Sequence, residues 1–150
     1  MNAIDADAHV DENQATWDCM DDAERAFKPV GFDIGEGQAL TGSNARQNRI
    51  WLIHGNARLH RIRDDQLTNT TQATRELLDI DERLRHMDTL GIDVQVLYPT
   101  TLLHAVTNRP DVELALCRAY NRWIAGRTKS SGGRLRWAAQ MPTMSIDDAI

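Results

Sequence analysis

The chain has 150 residues, of which 41% are hydrophobic and 26% charged, and its formal net charge is −5. This length and composition fit one folded domain and exclude a disordered chain. The negative charge and the lack of a long basic run argue against nucleic acid as a partner, because phosphate binding needs clustered positive side chains. No apolar stretch is long enough to span a bilayer, and the acidic N-terminus does not match a signal peptide. We therefore expect a cytoplasmic protein that has no membrane partner.

The first predicted elements are a strand and a long, mostly irregular segment. Ala3–Asp7 alternates enough to form a short strand, and residues 17–27 contain a plausible short helix. Residues 28–44 are rich in glycine and polar side chains, which indicates a loop. Two apolar runs flank Gly55-Asn56 and predict a β-hairpin with a tight turn. Residues 64–74 again resemble a polar loop.

A regular pattern of helices and strands follows. Asp79, with a glutamate three positions later, resembles a capping box, and Gly91 is a good helix terminator, so a helix is predicted between them. Residues 92–99 form a β-branched strand that is closed by a proline. A second helix begins at Asn108-Arg109-Pro110, and its apolar face contains Val112, Leu116, Ala119, Tyr120, Trp123 and Ile124.

The last predicted elements are a strand and the beginning of a helix. Ser130–Gly133 is a turn, and residues 134–142 form a third strand that also ends in a proline. Ser145, followed three positions later by Asp148, predicts the start of a third helix.

Strands that alternate with helices of this length indicate parallel βα units. Parallel strands are buried on both faces and need more neighbours than three, and a barrel needs eight strands and about 250 residues. We therefore predict an α/β fold, the N-terminal portion of a TIM-type (β/α)8 barrel that is incomplete in this chain. Residues 1–150 would be the N-terminal part of a single barrel domain. Residues 10–78 would be a long insertion after the first strand, which includes the hairpin.

A candidate metal site lies at the end of the first predicted strand. Asp7 and His9 are two positions apart, so they lie on one face of a strand and would point into the barrel mouth. A carboxylate and an imidazole suit zinc, manganese or iron. Asp5 shares this parity but lies deeper in the strand, and Asp11 is expected to face solvent. The spacing does not match an EF-hand, but a solvated acidic loop remains the alternative for so short a motif.

Two segments resemble a known family. The N-terminal I-D-A-D-A-H-V-D-E and the later E-R-L-R-H-M-D-T-L-G-I-D-V-Q-V-L-Y-P-T resemble the amidohydrolase-related metalloenzymes, which include the aminocarboxymuconate-semialdehyde and resorcylate decarboxylases. A-Y-N-R-W-I-A and R-L-R-W-A-A-Q-M-P are further matches. The resemblance covers nearly the whole chain and is weakest between about residues 28 and 75.

The resemblance implies an enzyme with one divalent metal ion, zinc or manganese or else iron, and a small-molecule substrate. Asp7 and His9 match the two ligands that the family places on its first strand. The remaining ligands and the general base are expected beyond Ile150, so no catalytic residue is assigned. The implied reaction is non-oxidative decarboxylation, as a carboxy-lyase, or hydrolysis of a cyclic or aromatic carboxylated substrate. The complete enzyme is expected to be a homo-oligomer.

Four more residues are candidates for substrate binding. Glu12 and Trp17 follow the metal motif, although Trp17 could equally pack in the core. Thr100 and His104 follow the second βα strand on the catalytic side, where barrel enzymes build their sites. The other histidines, His54, His60 and His86, match no ligand spacing and are expected to be surface or packing residues.

An alternative from a different functional class remains open. The chain could be a truncated, catalytically incomplete fragment that acts, if at all, only by pairing with another chain. An open edge strand and a partial ligand set favour this alternative.

Overall fold

The computed structural model describes residues 3–34, 45–63 and 65–149. A parallel sheet has the order β1 (Ile4–Val10), β5 (Val94–Pro99) and β6 (Leu135–Trp137). An antiparallel sheet has the order β2 (Val30–Ile34), β3 (Ala45–Ile53) and β4 (Asn56–Arg63). The helices are α1 (Gln14–Trp17), α2 (Asp65–Thr68), α3 (Gln72–Arg75), α4 (Ile80–Leu90) and α5 (Pro110–Thr128). Short 3₁₀ turns cover Asp22–Phe27, Thr101–Leu103, Lys129–Ser131 and Ile146–Asp148.

The predicted ends of α4 and the predicted start of α5 are confirmed. The side chain of Asp79 accepts a hydrogen bond of 2.8 Å from the backbone N–H of Glu82, which satisfies one of the free donors at the start of α4. Gly91 ends α4 with a φ of +68°, in the left-handed region that glycine adopts without penalty. Pro110 occupies the first turn of α5, where its missing N–H costs nothing. Within the described ranges, no helix combines the length and apolar character needed to cross a bilayer.

One hydrophobic core lies between the parallel sheet and the two long helices. It contains the buried side chains of Ala8, Val10, Leu77, Met87, Leu97, Tyr120, Trp123, Ile124 and Leu135. All six predicted apolar residues of α5 are buried, because their spacing places them on one face of the helix. The fold is therefore mixed α/β with a parallel sheet. The opposite face of this sheet is open, and Ile4 is 63% exposed there.

A second core joins the antiparallel sheet to α5. Trp17 of α1 and Trp51 of β3 meet edge to face with ring centroids 5.7 Å apart, and they pack with Ile53 and Leu116. Gly31 makes this approach possible, since a Cβ at that position would lie 2.8 Å from the Trp51 ring. The contact between Trp17 and Trp51, with no side chain at Gly31 to obstruct Trp51, therefore holds the antiparallel sheet against α1 and α5.

The hairpin of β3 and β4 turns at His54-Gly55, one residue earlier than the sequence predicts. Both turn residues have positive φ, 43° and 81°, as a type I′ turn requires. Ile53 and Asn56 pair across the turn, so Asn56 belongs to the strand.

Several predicted loops contain regular structure. Val30–Ile34 forms β2 because it pairs with β3, a long-range contact that local composition does not reveal. Residues 35–44 of the same predicted loop lie outside the described residues. The polar segment after the hairpin contains α2 and α3, each a single turn. The helix predicted from Ser145 is wrong within the described residues: only a 3₁₀ turn forms, and the Ser145 side chain does not cap it.

Replacing Gly91 by alanine should destabilise the chain by about 1 kcal/mol, because an L-residue strains the left-handed conformation at this helix end. Urea unfolding followed by circular dichroism measures the change. Gly126→Ala is the matched control, since Gly126 lies inside α5 and a Cβ there meets no atom within 4 Å. The control should be neutral or stabilising, by up to about 1 kcal/mol. Equal losses in both variants would contradict the assigned role of Gly91.

Candidate metal centre

The middle of β1 contains one residue more than its partner strand. Asp5 pairs with Gln95 and Ala8 pairs with Leu97, so two residues of β1, Ala6 and Asp7, face the single residue Val96. This is a β-bulge, which changes the direction of the side chains that follow it. The prediction that Asp5 shares a face with Asp7 and His9 is wrong for this reason. Asp5 points toward the helices, where its Oδ2 accepts a 2.9 Å hydrogen bond from Nε2 of Gln95.

Asp7 and His9 lie together on the open face of the parallel sheet. The Oδ1 of Asp7 is 3.6 Å from Nε2 of His9, and the Asp7 side chain is 93% exposed. The Nδ1 of His9 lies 3.1 Å from the carbonyl oxygen of Pro99. A carbonyl can only accept, so Nδ1 carries the proton of this bond. In the neutral ring Nε2 is then the nitrogen without a proton, and it is the ring nitrogen that lies 3.6 Å from the Asp7 carboxylate.

This arrangement fits a metal ion. A metal-binding histidine usually donates its second ring N–H to a carbonyl or a carboxylate, which fixes the tautomer and the ring orientation. The hydrogen bond from Nδ1 of His9 to the carbonyl of Pro99 fixes the tautomer and the orientation of the His9 ring in this way. Catalytic zinc sites use three protein ligands, so two donors are part of a site. Within the described part of the chain, no group of three or more His, Cys, Asp or Glu side chains is arranged to hold a metal ion.

Glu12 is completely buried and binds the loop after β5. Its Oε2 accepts from the backbone N–H groups of Thr100 and Thr101, and its Oε1 accepts from that of Leu102, at 2.8–3.1 Å. Burial raises the pKa of this carboxyl, and the backbone N–H groups of Thr101 and Leu102 oppose that rise. The structure therefore places Glu12 in a positioning role between the loops after β1 and β5, and not on an open substrate surface.

Asp11 is part of a buried charged network, and the prediction that it faces solvent is wrong. Its carboxylate lies 3.8 Å from Nε2 of His60 and 3.6 Å from Nε of Arg75, and only 14% of its side chain is exposed. Burial alone would raise the pKa of Asp11, but His60, Thr100 and Arg75 together hold it below its usual value. His60 is buried in β4, so this network connects the hairpin to the loop after β1.

Arg83 is a buried charged residue that the sequence analysis did not single out. It lies on the buried face of α4, and its Nε donates to Oε1 of Gln95 at 2.9 Å. Its terminal nitrogens donate to the carbonyls of His9 and Thr74 at 3.0–3.3 Å. Burial lowers the pKa of this guanidinium. The sequence does carry a signal, because position 83 falls on the same helical stripe as Ile80, Leu84 and Met87.

The remaining predicted site residues do not gather around Asp7 and His9. Trp17 is completely buried in the second core, in agreement with the alternative that it packs in the core. Thr100 is half-buried, and its backbone N–H binds Glu12. His104 is exposed and lines an open cleft of about 190 Å³ between the 102–107 loop, α5 and residues 140–143. Within the described residues, neither Asp7 nor His9 lines that cleft.

Among the other histidines, His54 lies in the hairpin turn, where its Nε2 is 2.9 Å from a terminal nitrogen of Arg109. His86 is half-buried on α4. Both are therefore packing or surface residues, as predicted.

Solved structures share this fold. A crystal structure of an amidohydrolase from Mycobacterium avium subsp. paratuberculosis is similar, with a TM-score of 0.61 over 98% of this chain. The two sequences are 16% identical, and the chain spans 45% of the length of that protein. No family model and no curated protein sequence matches the chain. At this identity, the similarity establishes the fold of the chain and leaves its activity to be tested.

Replacing Glu12 by glutamine should destabilise the chain by about 1–3 kcal/mol. One amide oxygen cannot accept all three N–H donors of the 100–102 loop, and the new NH₂ group would face donors. Urea unfolding gives the stability change, and hydrogen exchange at Thr101 and Leu102 shows whether the loop opens. Asp81→Asn, at an exposed site, is the control. A loss as small as that of the control would contradict the role of Glu12.

Replacing Asp11 by asparagine should destabilise the chain at pH 7 by roughly 1–3 kcal/mol, because His60 and Arg75 lose a buried carboxylate partner. A carboxyl whose pKa is lowered in the folded state stabilises it above the ordinary value near 4, and this contribution is lost as the pH falls. The stability difference between parent and variant should therefore shrink between pH 5 and pH 3. A difference that is constant with pH would contradict the assigned pKa direction.

Proposed function

We propose that the chain belongs to a metal-dependent, amidohydrolase-like enzyme in which Asp7 and His9 are two ligands of one divalent cation. The observation that supports this most strongly is the pairing of the two side chains, 3.6 Å apart, with the bond that orients His9 on Pro99. His9 lies one residue before the carboxyl end of β1 and Asp7 two residues before His9, in the half of the strand that leads to the end where α/β barrel enzymes place their active sites. The similarity of fold to a solved amidohydrolase is consistent with this proposal.

The bound cation, zinc or manganese or else iron, would supply Lewis-acid chemistry. The side chains of this protein would orient the ligands and the substrate. Tyr98 lies on the same face as His9, with ring centroids 6.2 Å apart and planes tilted by 44°. Val94 and Val96 continue this face along β5. An aromatic and apolar wall beside a cation suits a cyclic or aromatic substrate that carries a carboxylate.

The reaction that we propose is non-oxidative decarboxylation of such a substrate, or its hydrolysis. A carboxylate as the first ligand, in place of histidine, favours the branch of the resembling family that includes decarboxylases. The further ligands and the general base would come from outside the described residues. In the same proposal, residues 1–150 are the N-terminal part of one barrel domain, and residues 10–78 are an insertion after its first strand.

A second candidate is a chain that acts only when another chain covers the open face of its parallel sheet. The exposure of Ile4 on that face favours this candidate, because large apolar side chains are usually covered in an assembled core. Light scattering combined with elemental analysis distinguishes the two candidates. A monomer with one tightly held metal ion supports the first candidate, and metal that is bound only in an oligomer supports the second.

Replacing Asp7 or His9 by alanine should each remove most of the bound metal, because either change leaves the cation a single ligand from this pair. Elemental analysis after dialysis, with zinc and manganese tested separately, measures the occupancy. Asp22→Ala is the control, since Asp22 is an exposed acid in the 3₁₀ turn after α1 and should leave the occupancy unchanged. Full metal content in Asp7→Ala would show that the ligand assignment is wrong.

A further inference from the structure

Three side chains form a continuous hydrogen-bonded connection behind the proposed ligand pair; two of them, Gln95 and Arg83, are buried, and Asp5 is half-buried. Asp5, Gln95 and Arg83 come from β1, β5 and α4, and we call them the Asp5–Gln95–Arg83 network. Nε2 of Gln95 donates to Oδ2 of Asp5 at 2.9 Å, and Nε of Arg83 donates to Oε1 of Gln95 at 2.9 Å. The amide of Gln95 thus uses its donor on one partner and its acceptor on the other, which fixes its orientation.

Both ends of this network bind the backbone of the proposed ligands. At one end, Oδ1 of Asp5 accepts from the backbone N–H of Asp7 at 3.2 Å. At the other end, the guanidinium of Arg83 donates to the carbonyl of His9 from two nitrogens, both at 3.3 Å. The network therefore holds the three-residue segment that contains both ligands at its first N–H and at its last carbonyl.

The bulge in β1 explains why this segment needs such support. The extra residue of a bulge loses its partner in the strand ladder, so its N–H needs another acceptor to be held in one conformation. Asp5 provides an acceptor for the N–H of Asp7 at this point.

The buried positive charge of Arg83 is a second reason to assign this network a role. Within the described residues, the guanidinium of Arg83 has no carboxylate close enough to form an ion pair. Its hydrogen bonds to Gln95 and to the carbonyls of His9 and Thr74 satisfy it instead. A buried cation without a directly paired acid is expensive and is tolerated only where such bonds are well made.

We propose that the Asp5–Gln95–Arg83 network positions Asp7 and His9 for metal binding, by fixing the bulge and the carbonyl of His9. This inference rests on the proposed function for its metal. The geometric part, that the network sets the orientation of the His9 ring, can be tested without metal. None of the three residues is a catalytic residue, because Asp5 and Arg83 bind backbone atoms of the ligands and Gln95 joins those two side chains.

The decisive variant is Gln95→Met, which keeps the length of the side chain and removes both amide hydrogen bonds. Asp5→Asn is a second variant, which removes only the bond with Gln95 by placing two NH₂ groups against each other. Met87→Ala is the matched control, because Met87 is buried one turn from Arg83 on α4 and is outside the network. Urea unfolding of all three variants shows whether the control is destabilised to a similar degree.

Two measurements on the 150-residue chain distinguish positioning from general stability. Nitrogen-15 NMR of the imidazole rings reports the tautomer of His9 in the metal-free chain. We expect a single tautomer, protonated at Nδ1, in the parent and in Met87→Ala, and a mixture in Gln95→Met and Asp5→Asn. Zinc affinity, measured by competition with a chelator, should fall about 10–100-fold in the two network variants and remain unchanged in the control.

The inference is overturned if Gln95→Met and Asp5→Asn give the same His9 spectrum and the same zinc affinity as Met87→Ala. If the parent itself binds no zinc or manganese, the proposed function fails. The His9 spectrum alone then decides whether the network positions the ring. If Gln95→Met does not fold, Asp5→Asn provides both measurements.

Discussion

One additional residue in β1 determines how the candidate site is arranged. Without the bulge at Ala6 and Asp7, strict alternation would place Asp5 on the same face as Asp7 and His9. With it, Asp5 turns toward the helices and meets Gln95, while the other two side chains meet on the open face. The bulge thus places Asp5, which has a structural role, and Asp7, the proposed ligand, on opposite faces of the sheet.

Two carboxylates with little exposure to solvent connect the loops at the carboxyl end of the parallel sheet, and leaving either one unpaired would destabilise the fold. Glu12 gathers three backbone N–H groups after β5, and Asp11 contacts His60 from the antiparallel sheet. Such networks stabilise a unique geometry only when their members are satisfied. Here they connect the segments that follow β1 and β5 with β4, so the hairpin is joined to the carboxyl end of the parallel sheet.

The hydrophobic cores and the polar networks have distinct tasks. The core between α4, α5 and the parallel sheet buries the apolar face of that sheet, and the contact of Trp17 with Trp51 attaches the antiparallel sheet. Neither core specifies where a carboxylate or an imidazole points. That precision comes from directional bonds such as the one between His9 and Pro99.

The sequence by itself determined the elements whose signals are local. Asp79 and Gly91 mark the ends of α4, and the spacing of Val112, Leu116 and Tyr120 marks the buried face of α5, because capping and amphipathic periodicity act over a few residues. The spacing of Asp7 and His9 likewise predicted that the two side chains lie on one face. Only the tertiary structure decided the β-bulge, the pairing of β2 with β3, the burial of Glu12 and Arg83, and the ion partners of Asp11. These depend on partners up to about ninety positions away, and local composition carries no information about which distant group will satisfy a buried charge.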